Sequence, residues 1–357
     1  MFTRFQRLFT GHEERVIGID IGTESVKLAE VSNQRQQQQL LAIGLLPIPV
    51  GLLADGSIAD SKEFQDLLRQ LLSSCGASAR NVVLSLGSRS IFAREVLFPA
   101  MAEKELREAM KWNVEKYVPY EAGSYYYDVA IAGKTKSNLE MKVLLVAVLR
   151  NTINPIISTI KAIGLKPLAV EIESLASYRT LEGAANSVVI DLGCELSQIT
   201  AFQQGSPAVI RAIGIGGRRF TEAIMHDLSL DYQDAEHVKQ CQTDSFLQEQ
   251  LPVQQLDKQS QVELVAGELI REVRRTIEYH QNQNPDASIN NLFLTGGGAK
   301  LKNLSHYIAS QLDLPVQLHQ PLRSLVPSGN VEQERLNDLF PQFAVAIGLA
   351  LRGGEDR

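Results

Sequence analysis

Residues 16–32 read VIGIDIGTESVKLAEVS, and residues 188–205 read VVIDLGCELSQITAFQQG. Each is a run of β-branched residues closing on Asp-x-Gly, then a short polar turn, then a second strand of alternating character. The same strand–turn–strand unit at two places in one chain predicts two related halves joined in sequence.

Around the first unit, residues 27–31 and 40–46 read as hairpin strands, with the Gln-rich 34–39 as a solvated turn between them. Residues 61–74 form an amphipathic helix, with Phe64, Leu67, Leu68, Leu71 and Leu72 on one face. Strands at 81–86 and 90–97 follow, then a helix over 101–116 that Pro119 stops, strands at 125–132 and 141–149, and a helix over 155–163. This run predicts a compact α+β subdomain over 52–163, inserted in a first half made of 16–51 and 164–186. Residues 1–15 read as a tail and 187–357 as the second half. There, 218–228 is a helix opened by the glycines of IGIGGRR, and 261–283 is a long helix ended by Asn284-Pro285. A strand at 291–294 runs into Thr295-Gly296-Gly297-Gly298, and 343–351 is apolar all round, as in a buried terminal helix. The class is α/β.

The chain has 357 residues, 44% hydrophobic and 21% charged, so it has ample apolar material for about two domains and is not intrinsically disordered. A net charge of −6 gives no general reason to bind nucleic acid. Cys75, Cys194 and Cys241 lie far apart with no CxxC pair. They predict neither a disulfide framework nor a zinc site and suit a reducing cytoplasm. The longest apolar run, 40–54, is broken by Pro47 and Pro49 and is too short to span a bilayer. Phe2, Phe5, Leu8 and Phe9 fall near one helical face, but so short a segment reads first as a frayed tail.

Three strand-to-turn elements carry the candidate chemistry: residues 20–27, 191–198 and 294–304. Phosphate oxygens need dense backbone N–H donors and room for the backbone to approach, which Gly22 and Gly193 supply in tight turns. Asp20 and Asp191, at strand ends, suit a hydrated Mg²⁺ bridging phosphates. Gly296, Gly297 and Gly298 let a helix start lie against a flat or anionic group. The GxxxxGK[ST] spacing of a P-loop is absent.

This ordered set resembles the actin-like ATPase superfamily over nearly the whole chain. Within it, EKYVPYE at 115–121 with YYYDV at 125–129, IGIGGRRFTEAI at 213–224 and LFLTGGGAKLKNL at 292–304 are similar to the type IV pilus assembly PilM family, relatives of the cell-division protein FtsA. The resemblance implies an actin-like (ribonuclease H-like) two-domain fold with an extra subdomain in the first half, and ATP with Mg²⁺ as ligands. It assigns Asp20, Gly22, Thr23, Glu24, Ser25 and Lys27 to the first phosphate motif, and Asp191, Gly193 and Ser197 to the second. Gly296, Gly297 and Gly298 match the adenosine motif, with Gly216 and Gly217 on a nearby turn. Glu173 matches a glutamate that helps position water, and with Asp191 forms the implied catalytic pair, for slow turnover at most. Glu24 and Glu195 depart from the family's small polar residues. Facing the ligand they would repel phosphate; pointing away they would not.

The function implied is a cytoplasmic, ATP-binding scaffold at the inner face of the inner membrane. It would hold the cytoplasmic N-terminal peptide of a PilN-like membrane protein along strand edges in 81–97 and 125–149, with nucleotide modulating the grip. Other pilus platform proteins or motor ATPases, and self-association, are further partners the resemblance suggests. Trp112 and Tyr117, Tyr120, Tyr125, Tyr126 and Tyr127 suit a partner groove or a core equally. Two other classes compete: a small-molecule kinase, with Asp128 or Glu171 as base, and a filament former.

Overall fold

The computed structural model describes residues 14–352, apart from 35–36, 55–56, 87–90, 136–137, 242–246, 248–259, 285–286, 323–324 and 329–339. The N-terminal aromatic face and Cys241's side chain lie outside the described residues.

The chain begins with an antiparallel meander, β1 (Glu14–Ile21), β2 (Ser25–Gln34) and β3 (Gln37–Pro47). The Gln-rich segment is ladder rather than turn, since Gln34 pairs with Gln37 and Ser32 with Gln39. Alternation with buried Val31 and Leu40 carries the pairing through these glutamines. A small ribbon, β4 (Leu53–Ala54) and β5 (Ser57–Ile58), leads into α1 (Ser61–Cys75). Asp60 caps α1 by accepting from the amides of Lys62 and Glu63, and Gly76 ends it at φ +70°.

Next come β6 (Asn81–Leu86), β7 (Ile91–Pro99), α2 (Glu103–Asn113), β8 (Tyr125–Lys134), β9 (Glu140–Leu149), α3 (Arg150–Ala162), β10 (Lys166–Ile172) and α4 (Glu173–Arg179). The second half runs β11 (Ser187–Leu192), β12 (Ser197–Gln203), β13 (Ser206–Ile213), α5 (Gly217–Leu228), α6 (Tyr232–Cys241), α7 (Gln261–Gln283), β14 (Asn291–Thr295), α8 (Leu304–Leu312) and β15 (Val316–Leu318). The last elements are β16 (Val326–Pro327) and α9 (Ala344–Arg352).

The duplication holds over five strands of each sheet, with β16 added at one edge of the first. One sheet is ordered β10-β6-β1-β2-β3-β16, the other β15-β14-β11-β12-β13. In each, the first strand is antiparallel to the second and the second to the third, while two parallel strands lie on the far side of the first.

Two boundaries differ from the sequence reading. The subdomain expected over 52–163 is smaller, because α1, β6 and α3 share one buried core with β1, including Ile17, Phe64, Leu84 and Ile156. What is inserted is the separate three-stranded sheet β7-β9-β8 with α2 on one face, packed through Leu106, Met110, Val143 and Leu145. The chain also does not finish in the second half. β16 pairs with β3, and α9 packs on the first sheet through Ala346, Ile347 and Leu349 against Val16, Ala29 and Val31. Gly18 and Gly348 permit this: a Cβ on Gly18 would collide with Ala346 O, and one on Gly348 with Ala176 O. Periodicity shows which face of an element is apolar, not which sheet will cover it.

Candidate functional site: facing turns of the two halves

At the end of β1, Asp20 stands directly opposite Lys27 of β2. Lys27 Nζ donates to Asp20 Oδ2 at 3.1 Å, and Ser85 Oγ of the adjacent β6 donates to Oδ1 at 2.8 Å. Burial alone would lower the Lys27 pKa; Asp20, by charge and hydrogen bond, with Asp191 and Glu173, outweighs it and raises the value. Lys27 thus touches the carboxylate from β1 and lies in the field of two more, from β11 and from the first residue of α4.

The turns after the two aspartates are built alike. Gly22 N–H donates to Ser25 O at 3.1 Å, and Gly193 N–H to Leu196 O at 3.1 Å. A Cβ on Gly193 would lie 2.8 Å from Leu196 O, closer than real contacts allow. Thr23 and Glu24 are exposed at the tip of the first turn, with Ser25 half-buried beside them.

Asp191 is pushed up to about 6 by burial first and by the Asp20 charge second, with Lys27 pulling it back. Gly296 crosses beside it at φ +84°, where a Cβ would collide with Asp191 Oδ1 and come within 2.6 Å of Leu192 O. The glycine run is therefore wedged against the second turn, fixed by Gly296 N–H and Thr295 Oγ1 donating to Pro341 O at 3.0 and 2.8 Å. Gly298 lies against Leu192, and Gly297 is the exposed one of the three. The helix expected at about residue 301 is preceded by a 3-10 turn over 297–300.

Ser197 does not face the turn. It is fully buried and its hydroxyl donates to Ile215 O, so it holds the approach to α5. Gly216 and Gly217 are buried too: a Cβ on Gly216 would collide with Cys194 O, and Gly217 N–H donates to Gly193 O at 2.8 Å. The first amides of α5 are thereby spent on the second turn. The Cys194 thiol in that turn is pushed up to about 12 by burial and by Glu24, which keeps it protonated and unreactive near neutral pH.

Sequence reading missed Arg218. Its guanidinium meets Glu24 at 3.0 Å and Glu195 at 3.2 Å, one carboxylate from each turn. Two unexplained glutamates beside glycine turns were the available signal that a cation had to be near. The proposed kinase bases are otherwise engaged. Glu171 is buried against Arg179 at 2.9 and 3.1 Å, and Asp128 is paired with Arg107 of the inserted subdomain. Among the aromatics, Tyr125 is buried and Phe92, Tyr120 and Tyr127 chain onto it ring by ring. Trp112 stands out 87% exposed, and Tyr126 is exposed beneath the Arg150 guanidinium, 4.2 Å from the ring centre. Asn81–Leu86 offers no edge for a peptide, because β6 lies between β10 and β1; β7 and β8 are the outer strands of the inserted sheet.

Two sheets that share a five-strand topology, with Asp-x-Gly turns facing a glycine wedge, define an actin-like ATPase fold. The ethanolamine utilization protein EutJ from Carboxydothermus hydrogenoformans aligns over 97% of this chain and 93% of its own at 14% identity and TM-score 0.55. MreB 5 of Spiroplasma citri bound to AMPPNP aligns over 94% and 95% at 16% identity and TM-score 0.51. These show the fold alone. A "PilM-PilN type IV pilus biogenesis complex" matches over 97% of this chain and 99% of that one, at 28% identity and TM-score 0.81. The model of the type IV pilus assembly protein PilM family matches residues 18–354. The chain belongs to that family.

Proposed function

We propose that this protein is a nucleotide-binding scaffold of the type IV pilus assembly platform, holding the cytoplasmic N-terminal peptide of a PilN-like inner-membrane protein. The observation that carries the nucleotide half is the convergence of Asp20, Lys27, Asp191 and Glu173 between two identically bonded glycine turns. The residues fit ATP. Lys27 and the turn amides beside Gly22, Thr23, Ser25 and Gly193 would hold phosphate, and the exposed Gly297 of the run at 296–298 would let backbone approach the adenosine. Among the described residues no group of three or more His, Cys, Asp or Glu gathers as a metal cage. Two aspartates with water suit Mg²⁺, which keeps several waters and takes phosphate oxygens as ligands. Bound Mg²⁺ would neutralise phosphate charge; Glu173 would orient water for turnover that is slow at most.

The partner half rests on the family and on the PilM-PilN complex matched along the full length. The outer strands β7 and β8 supply backbone edges that an extended peptide could pair with, and nearby apolar side chains supply pockets. Nucleotide would modulate the grip by binding one arrangement of the halves better than another. Among the described residues no helix is long and apolar enough to cross a membrane, so placement at the inner face of the membrane would come from the partner.

A pull-down from detergent-solubilised membranes tests this, comparing wild type with Asp20→Ala/Gly297→Asp in Mg·ATP. Recovery of a single-span PilN-like protein, weakened in the variant, is the expected result. Equal recovery would remove the nucleotide control, and no recovery would remove the scaffold.

A further inference from the structure

Glu24 and Glu195 place a carboxylate in each of the two turns proposed to receive phosphates, which by itself would oppose an anionic ligand. Arg218 meets both, Nη2 at 3.0 Å from Glu24 Oε1 and Nη1 at 3.2 Å from Glu195 Oε1. A planar guanidinium can serve two carboxylates at once, where an ammonium would offer a single point of charge.

Arg218 is held in place to do so. Its own amide donates to Cys194 O at 2.9 Å, in the middle of the second turn, which anchors the residue's backbone beside that turn and within side-chain reach of both carboxylates. Among the described residues, two other groups close by add no positive charge to this contact. Cys194 stays a neutral thiol. Lys239 is committed to Glu236 at 2.6 Å, Thr221 at 2.7 Å and Gly217 O at 3.2 Å. Arg218 is thus a counter-ion shared by both turn carboxylates, and it cancels one of their two negative charges.

We infer that Arg218 sets the triphosphate-over-diphosphate preference of the site by neutralising Glu24 and Glu195 across the facing turns. The inference rests on the nucleotide reading above. Repulsion from uncovered carboxylates grows with ligand charge, so removing Arg218 penalises ATP more than ADP. All three side chains are partly exposed, at 41% for Arg218, 49% for Glu24 and 28% for Glu195, so screening keeps the effect moderate and salt-dependent.

The test is titration of ATP and ADP, each with Mg²⁺, into the full chain at low salt. Arg218→Gln is expected to weaken ATP by roughly tenfold and ADP by roughly threefold, with the gap closing at high salt. The triple variant Arg218→Gln/Glu24→Gln/Glu195→Gln leaves the turn pair neutral and should restore the ratio to the wild-type value or beyond it. Glu24→Gln/Glu195→Gln with Arg218 intact should favour ATP further, a readout that stands if Arg218→Gln fails to fold. A ratio unchanged by Arg218→Gln overturns the inference. A triple variant as poor as the single one also overturns it, since Arg218 would then act by touching the phosphate itself. No nucleotide binding by wild type overturns both this inference and the nucleotide reading; binding with an unchanged ratio overturns this inference alone.

Discussion

Lys27 Nζ sits 3.1 Å from Asp20 Oδ2, between residues that face each other in the β1–β2 ladder. Because the strand period is two residues, this register alone puts the cation and the carboxylate on one face at the mouth of the turn. Asp191, from the other half, and Glu173, on α4, act on the same ammonium through their charge. Lys27 thus touches one acid and lies in the field of two more.

Replacing it should therefore cost both binding and stability. Lys27→Met leaves Asp20 and Asp191 facing each other without a cation, and removing one partner of a buried pair costs about 3–5 kcal/mol. The expected result is loss of nucleotide binding and a melting temperature several degrees below wild type. Differential scanning fluorimetry with and without Mg·ATP reads both. A variant that melts like wild type would show that the acids are not coupled through Lys27.

Asp191 predicts a pH dependence of definite sign. Its folded pKa is raised from 3.8 to about 6, so between these values the native state holds a proton that the unfolded chain releases. Stability falls as pH rises through that window, and the cost persists above it. Asp191→Asn removes the ionised form, so without nucleotide it should melt about 2 °C or more above wild type at pH 8, with the gap vanishing near pH 4. A lower melting temperature at pH 8 would contradict the assignment.

The terminal helix makes a separate prediction. Gly348 lies against Ala176 O, and Gly18 against Ala346 O and Ala350 N, with no room for a methyl group. Gly348→Val should destabilise by about 1–3 kcal/mol or more, because the backbone must move to admit the side chain. Urea unfolding measures it. Gly267→Ala, whose added Cβ would have only ordinary contact with Arg271, serves as the mild control.

The two Asp-x-Gly units were readable in the sequence because a β-branched run ending on such a turn has few other structures to adopt. The glycine run after β14 was readable for the same reason. The limits of the inserted subdomain were not, since Phe64 and Leu84 look equally apolar whichever sheet covers them. Ser197 followed its motif by position, yet its hydroxyl turned inward to Ile215 O. The Arg218–Glu24 pair joins residues 194 apart, and neither residue's neighbours in sequence announce the other. Strand ends and turns are local; ion pairs between halves are a property of the closed fold.

The central claim, a peptide-holding scaffold under nucleotide control, is most directly tested by calorimetric titration. A synthetic peptide covering the cytoplasmic N-terminal segment of the PilN-like protein from the same genome is titrated into wild type and Asp20→Ala/Gly297→Asp, with and without Mg·ATP. The account predicts saturable binding by both proteins and an affinity that Mg·ATP changes in wild type alone. Absence of peptide binding by the folded wild type would contradict it.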